Sequence, residues 1–337
     1  MAEIDGSPDG NTAASFRRPK LTIRGQVSHL RGRGVRFGLV TEAEAGRYLR
    51  DDAYFFRVKA YENDFQRDAA GRYLHLDFAY LMDLDGLDEA LRSFVLRVFP
   101  VLERRLKVDL NRRLCEAGGE DGYGVVSDFL SSPYNRHPRL VEELKARHIG
   151  PDPAAPRDRY VGRMLGKYLE DPAYWSFMEV LTFGDLRNFH AFCLDRLGAR
   201  MRTERLLFAA GRIRNAAAHG NCLLDDVYGK TDPAAKGRTL RSLFPSLLGL
   251  GLTTSMKRAL NVSAVQDMAA MLMVALELGG TPQERDVMSR AALGTARRAG
   301  LHVDDYYAAN PKLRATLSNL AAILGAFAAR LSDDPAA

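Results

Sequence analysis

The sequence predicts an all-α protein, on the basis of its composition, the periodicity of its apolar residues and its helix-capping signals. Ala, Leu and Arg are abundant among the 337 residues, whereas Val, Ile and Thr are comparatively sparse. Straight-chain residues lose less rotamer freedom on a helix than β-branched residues do, so this balance favours helix over sheet. Hydrophobic residues make up 46% of the chain and charged residues 27%, which is typical of a globular protein with one large domain or two smaller ones.

Capping residues mark the first two predicted helices. Thr22 is placed to cap a helix that ends at the glycine-containing turn of residues 32–34. Thr41 and Glu44 have the spacing of a capping box, in which a hydroxyl and a carboxylate three residues apart each accept from the other's backbone N–H. We therefore expect a second helix directly after Thr41, with the aromatic run of residues 54–56 beyond it.

A long helix is predicted over residues 83–115. Its leucines and valines recur at intervals of three and four, which places them on one stripe that faces the core. Arginines occupy the opposite face, and this pattern has two readings: a solvated helix face, or a surface that follows the phosphates of a nucleic acid. The arginines are Arg92, Arg97, Arg104, Arg105, Arg112 and Arg113.

The composition divides the chain into three parts. Residues 1–20 lack apolar periodicity and predict a disordered tail. Residues 21–229 predict a helical domain, and residues 238–331, after a polar break at 229–238, predict a C-terminal helical extension. The extension contains three N-cap signals, the last two with proline in the first turn: Ser263 with Gln266, Thr281-Pro282 with Glu284, and Asn310-Pro311.

Several classes of protein are disfavoured. No stretch of about 18 uninterrupted apolar residues occurs, and the N-terminus lacks the basic and apolar regions of a signal peptide. The three cysteines, Cys115, Cys193 and Cys222, are isolated and form neither a disulfide framework nor a zinc ligand set. We therefore expect a cytoplasmic protein without metal, cofactor or membrane contact. The net charge of +6 permits an anionic partner without requiring one.

The candidate site lies on a helix predicted from Thr203 to His219. Gly220 follows His219 directly and supplies a left-handed C-cap. His219 then lies in the last turn, where the helix dipole favours the protonated imidazole. The residues expected to face the core, at spacings of four, three and four, are Leu206, Ala210, Ile213 and Ala217.

Helical geometry sorts the polar residues of this helix. At roughly 100° per residue, Arg212 and Asn215 lie on the side of His219, whereas Arg214 is offset from His219 by roughly 140°. One helix therefore does not bring Arg214 and His219 together. Two such helices that met across a symmetric dimer would place arginine and histidine from both copies in one cleft.

These residue types suit RNA cleavage without a metal ion. His219 can take a proton from a ribose 2′-hydroxyl or give one to the leaving oxygen. Arg214 can donate to phosphate oxygens and stabilise charge in the transition state, and Asn215 can orient the imidazole or hold the phosphate. A histidine at a helix end is also an ordinary C-cap, so the residues by themselves leave both readings open.

Four segments, in order along the chain, resemble those of Abi-like proteins, which belong to the broader HEPN group of helical nucleases. Residues 214–219 resemble the Arg-Asn-x-x-Ala-His signature of that family. Residues 21–34 resemble its opening helix, and residues 54–61 its Tyr-Tyr-Arg-Leu-x-x-Tyr box. Residues 175–186 resemble its Trp…Glu-Val-Leu-Ser-Phe-Gly-x-Leu segment.

The resemblance implies a HEPN-type helical bundle over residues 21–229, with the C-terminal helices as an addition. It implies a homodimer and metal-independent cleavage of RNA by Arg214 and His219, with Asn215 beside them. It also implies a toxin-type role in abortive infection, an antiviral defence that arrests the infected cell. Some members work with a small regulatory RNA or with a partner protein, an antitoxin, that restrains them.

Three further basic residues are assigned to the RNA. Arg57, Lys59 and Arg212 are predicted to bind RNA, although a solvated role for Arg57 and Lys59 stays open. Lys107 and Asn111 lie where the family often has Glu followed by Arg, which leaves a non-cleaving RNA- or protein-binding module as the alternative function.

The remaining motif residues are expected to be structural. Glu179 is expected to pair with Arg57 or Arg214. The large aromatic residues are expected to lie in the core rather than to stack on bases, because such rings dominate core burial; they are Tyr54, Phe55, Phe56 and Trp175.

Overall fold

A computed structural model describes residues 20–152, 155–168, 170–225, 227, 241, 243–251, 253 and 259–333. These residues form helices joined by turns, and the extended pairing among them is limited to two isolated bridges. The prediction of an all-α bundle is therefore confirmed. The predicted tail, apart from Lys20, and the polar break at 229–238 lie outside the described residues.

The N-terminal helices begin where the capping residues predict. Thr22 Oγ1 accepts from the backbone N–H of Gly25, and Thr41 and Glu44 form the predicted capping box. The elements are α1 (Ile23–Gly32), α2 (Glu42–Asp51), α3 (Phe55–Ala60) and a 3₁₀ turn (Tyr61–Asp64).

The long helix α4 (Phe78–Glu116) lies at the centre of the fold and contacts α3, α9 (Phe183–Arg196), α10 (Leu207–Ala218) and two of the C-terminal helices. It begins earlier than predicted, because Asp77 caps it by accepting from the backbone N–H of Ala79. The predicted apolar stripe is buried: Leu87, Leu91, Val95, Val98, Leu102, Leu106 and Leu110.

The second half of the predicted helical domain leads the chain back onto α4. Its last helix, α10, contacts both α4 and α9. The elements are α5 (Gly124–Ser131), α6 (Leu140–His148), α7 (Gly162–Leu165), α8 (Tyr174–Val180), α9 (Phe183–Arg196), a 3₁₀ turn (Glu204–Leu206) and α10 (Leu207–Ala218).

The C-terminal helices pack on the rest of the chain. Helix α12 (Pro282–Gly300) packs against α13 (Pro311–Ser332), and both α11 (Ser263–Leu278) and α12 contact α4, while α11 also contacts α10. Ion pairs join these surfaces: Arg105–Glu284, Arg212–Asp267 and Arg298–Asp83. The helices are α11 (Ser263–Leu278), α12 (Pro282–Gly300) and α13 (Pro311–Ser332).

Two of the three predicted C-terminal caps are confirmed. Thr281 forms a capping box with Glu284, and Asn310 accepts from the backbone N–H of Leu313. The prediction for Ser263 is wrong, because this residue is already inside α11 and makes no capping bond. The side chain of Gln266 instead donates to the buried carbonyl of Leu260.

Among the described residues, one helix has the length and hydropathy of a membrane-spanning segment. This helix is α13, and a single helix of this kind is weak evidence, because a buried core helix passes the same test. Several of its leucines are buried against neighbouring helices, among them Leu313, Leu317, Leu320 and Leu324.

A candidate nucleic-acid groove at the end of α10

The end of α10 presents the imidazole of His219 to solvent. The four residues predicted to face the core are all buried, and the helix ends at Ala218 with His219 as its C-cap. Gly220 has a φ of +68°, the left-handed conformation that glycine adopts without strain. The backbone N–H of Asn221 then donates to Ala216 O at 2.9 Å. Within the part of the chain that the structure describes, the exposed His219 side chain has no hydrogen-bond partner.

An open groove of about 990 Å³ adjoins His219. One wall is formed by α1, α3 and the 3₁₀ turn after α3, and the other by the chain that follows α10. Two acidic side chains, Glu62 and Asp225, line it. The basic side chains in its wall are more numerous: Arg33, Arg57, Lys59 and Arg67.

The groove brings together some of the predicted site residues and not others. His219, Arg57 and Lys59 line it, but Arg214 and Asn215 are not among the described residues of its wall. Arg214 Nη1 donates to Asn215 Oδ1 at 3.0 Å, and its guanidinium lies 5.5 Å from the ring centre of Phe99. The separation of Arg214 from His219 agrees with the angular offset expected between these two residues along one helix.

Arg212 faces the C-terminal helices rather than the groove. Its guanidinium donates to both carboxylate oxygens of Asp267, at 3.0 and 2.5 Å. It also lies 5.4 Å from the ring centre of the exposed Phe208. In one copy of the chain, Arg212 therefore joins α10 to α11.

Arg57 links α3 to the turn that follows His219 by a hydrogen bond. Its Nη1 donates to Gly220 O at 2.9 Å, and its Nε donates to Asp85 Oδ1 at 2.5 Å. Its Nη2 lies 3.5 Å from Asp88 Oδ2. The guanidinium is therefore occupied by partners within the chain, which makes Arg57 a positioning residue for the His219 turn.

Asp88 is the buried anchor of the same turn, and the sequence reasoning missed it. Its Oδ1 accepts from the backbone N–H groups of Leu223 and Leu224, at 2.7 and 2.8 Å, and its Oδ2 accepts from Arg92. Burial raises the pKa of Asp88, while these donors oppose that rise.

A signal for this anchor was present in the sequence. Asp85 and Asp88 lie on α4 directly after Leu84 and Leu87, in a stretch whose apolar residues face the core. A carboxylate on the inner face of a helix requires a buried partner. Tyr48 supplies one for Asp85 by donating its hydroxyl at 2.7 Å.

Lys59 and Glu62 are two oppositely charged residues of the groove lining. Lys59 is half-buried, with Nζ 3.3 Å from His29 Nε2 and 5.7 Å from the ring centre of Phe55. Glu62 is buried and accepts from the hydroxyl of Tyr73 at 2.7 Å. Burial raises the pKa of Glu62, and the nearby Lys59 and the Tyr73 hydroxyl oppose this rise.

The core prediction for the aromatic residues is wrong at three positions. Phe56 is 81% exposed and Tyr54 is 62% exposed, and both line the groove. Helix α3 is only six residues long and turns Val58 to the core, with Phe55 partly buried beside it. Trp175 is also exposed, with its ring edge against Tyr123 and Tyr174.

The predicted pairing of Glu179 is also wrong. Glu179 Oε2 lies 3.8 Å from Lys107 Nζ rather than beside Arg57 or Arg214. Asn111 Oδ1 accepts from the hydroxyl of Tyr174 at 3.2 Å. Lys107 and Asn111, which depart from the family pattern, thus contact α8.

The arginine-rich face of α4 is mostly ion-paired within the chain. Arg92 pairs with Asp88, Arg104 and Arg105 pair with Glu284, and Arg112 and Arg113 pair with Asp109. Arg97, Arg104 and Arg112 are exposed, so this face is solvated, with most of its arginines paired with acids of the same chain. Burial raises the pKa of Asp109, but contacts with His190, Arg112 and Arg113 outweigh burial and hold that pKa well below its usual range.

A model of the Abi-like protein family matches residues 47–225, more than half of the chain. The chain belongs to the Abi-like protein family. The matched region contains the segments at 54–61, 175–186 and 214–219. Neither the search of curated proteins nor the search of solved structures found a match. Family membership supports a function in abortive infection.

Proposed function

We propose that this Abi-like protein is a metal-independent RNA endonuclease of the HEPN group that acts in abortive infection. The observation that carries the proposal is the exposed imidazole of His219 at the wall of a groove with more basic than acidic side chains. A groove of this charge attracts a polyanion, and an imidazole can exchange a proton with RNA at neutral pH.

His219 acts as general acid or base in this proposal, and Arg214 binds the scissile phosphate. Because Arg214 lies over Phe99 and outside the groove wall, the active site is proposed to be completed across a homodimer. Exposed residues of α10 offer a surface for this contact, since Phe208, Asn215 and His219 are spaced by seven and four residues along one face.

The proposed partners follow from this assignment. RNA is the substrate, and a small regulatory RNA or an antitoxin protein restrains the enzyme until infection, with the cytoplasm as the place of action. Neither a metal ion nor a cofactor is required, because general acid–base catalysis and an arginine that binds phosphate provide the chemistry.

Inducible expression tests the catalytic assignment. Wild type, Arg214→Ala and His219→Ala are compared for growth and for the integrity of total RNA, in the presence and absence of phage. Arg97→Ala and His137→Ala are matched controls, because both residues are exposed and lie outside the groove wall. We expect wild type and both controls to stop growth and fragment RNA, and the two site variants to do neither. Equal behaviour of all five proteins during infection contradicts the proposal.

A non-cleaving RNA- or protein-binding module is the second candidate function. The contacts of Lys107 and Asn111 with α8 favour it, because these positions do not support a polar network around His219. This alternative predicts salt-dependent RNA binding that His219→Ala leaves unchanged, together with an unchanged cellular phenotype. A growth arrest that His219→Ala abolishes excludes it.

A further inference from the structure

The groove contains a pair of exposed aromatic rings, Tyr54 and Phe56. Tyr54 caps the N-terminal end of α3, and Phe56 lies in its first turn. Both side chains are exposed and line the groove on the wall that α3 and the following 3₁₀ turn form. Large apolar side chains that remain exposed beside polar groups often mark a binding surface.

Three cations line the same groove: Arg33, Lys59 and Arg67. The guanidinium groups of Arg33 and Arg67 lie 5.7 and 4.6 Å from the ring centre of Tyr73, so both arginines lie beside this one ring. Aromatic rings interleaved with cations are the usual means of binding single-stranded nucleic acid, because rings stack on bases while cations contact phosphates.

We propose that Tyr54 and Phe56 form a stacking subsite for unpaired bases of single-stranded RNA, with its phosphates on Arg33, Lys59 and Arg67. This inference rests on the proposed function and names the form of RNA that reaches His219. A duplex cannot use the subsite, because its bases are already stacked on one another and their faces are closed to protein rings.

The subsite is held in a fixed position relative to the end of α10. Arg57 follows Phe56 directly in the chain and donates to the carbonyl of Gly220, the residue after His219. Asp85 and Asp88 hold the same guanidinium on α4. An RNA strand whose bases stack on α3 therefore lies along a helix that is hydrogen-bonded to the turn after His219.

The test measures RNA binding without cleavage. Full-length His219→Ala protein is titrated with a short single-stranded RNA, with the same strand carrying abasic sites, and with the corresponding duplex. The abasic strand keeps every phosphate and loses the stacking partners. At about 1–3 kcal/mol per stacked base, we expect the abasic strand to bind about 5-fold to about 150-fold more weakly for each stacked base that it lacks, and the duplex to bind no better than the abasic strand.

Leucine variants locate this effect. Tyr54→Leu and Phe56→Leu, each in the His219→Ala protein, are expected to reduce the difference in affinity between the intact and abasic strands. The variant with both substitutions should bind the two strands with nearly equal affinity. Tyr160→Leu is the matched control, since Tyr160 is 97% exposed and lies outside the groove wall. This variant should keep the full difference in affinity between the intact and abasic strands. Folding of each variant is checked by its thermal unfolding midpoint, which the exposed positions of these rings should leave unchanged.

The outcomes separate the subsite from the proposed function. If the intact and abasic strands bind equally to the parent protein, or if both leucine variants keep the parent's difference, the subsite is wrong and the cleavage proposal is unaffected. Those results would be expected of rings that contact a protein partner. If stacking is observed but wild type never cleaves RNA, the subsite holds and the nuclease proposal fails. If no strand binds at all, both are wrong.

Discussion

The groove beside His219 and the interface between the C-terminal helices and helices α4 and α10 differ in how far their side chains are satisfied within the chain. In the interface, cations meet carboxylates within the chain, as Arg212 meets Asp267 and Arg105 meets Glu284. In the groove, Tyr54 and Phe56 are exposed, and the His219 imidazole faces solvent. The first region joins helices, and the second is open to a ligand.

This difference shows why a net positive charge is a poor guide to RNA binding. The six arginines on the outer face of α4 suggest a phosphate-binding surface in the sequence, yet most are neutralised by acids that lie far away in the chain or one turn along the helix. A cation that already has a carboxylate partner must lose that partner before it binds phosphate. A cluster of cations that is less neutralised, such as Arg33, Lys59 and Arg67 in the groove, is the better candidate for binding phosphate.

Substitution of Asp88 should have the largest effect, because this residue supports the groove from the core. Asp88→Ala leaves Arg57, Arg92 and the backbone N–H groups of Leu223 and Leu224 without their buried acceptor. We expect a loss of about 3–5 kcal/mol in the free energy of unfolding, measured by urea denaturation. Glu89→Ala, at the next and exposed position, is the control and should change stability by less than about 0.5 kcal/mol. Similar losses in the two variants would contradict the anchoring role.

Asp109→Asn tests the paired charges on α4 through their pH dependence. The pKa of Asp109 is lowered in the folded protein, so its contribution is present above the unfolded-state pKa, near about 3.9, and is lost as pH falls through the lower folded-state pKa. We expect Asp109→Asn to be less stable by about 2 kcal/mol near neutral pH. The difference in urea midpoint between wild type and Asp109→Asn should become smaller as the pH approaches about 3. A gap that stays constant over this range would mean that charge is not the cause.

Arg212→Gln separates the two regions by function. Arg212 is partly exposed but Asp267 is buried, so loss of the ion pair should lower the free energy of unfolding by about 1–2 kcal/mol. RNA affinity should stay within about twofold of wild type if Arg212 serves the helical interface. A double-mutant cycle with Asp267→Asn measures the coupling between the two side chains. A large loss of affinity with unchanged stability would restore the sequence-based assignment of Arg212 to RNA binding.

Lys59→Gln should show the reverse pattern. Its ammonium group contacts His29 and Phe55 within the groove, and its removal should change the free energy of unfolding by less than about 0.5 kcal/mol. RNA binding should weaken, and the slope of log affinity against log salt should fall by about 1 if Lys59 contacts a phosphate. An unchanged slope would place Lys59 outside the path of the RNA.

Local interactions made much of the fold predictable from the sequence. Thr22, Thr41, Thr281 and Asn310 cap helices where their spacing indicated, because a cap depends on residues three positions apart. The burial of Ile213 and Ala217 follows from helical periodicity in the same way. Ser263 fails because the helix extends to include it and Gln266 bonds to a carbonyl outside the first turn.

The sequence by itself determined the helical class, most capping sites, the position of His219 at the end of its helix, and the resemblance to Abi-like proteins that the family match bears out. Only the tertiary structure decided which charges are neutralised. It paired Arg212 with Asp267 and Glu179 with Lys107, and it fastened Arg57 between Asp85 and Gly220. Ion pairs between residues distant in the chain depend on how helices pack, and no local pattern encodes that geometry. Tyr54 and Phe56 are uncovered, because successive residues at α3 point in directions about 100° apart and three consecutive rings cannot all face the core.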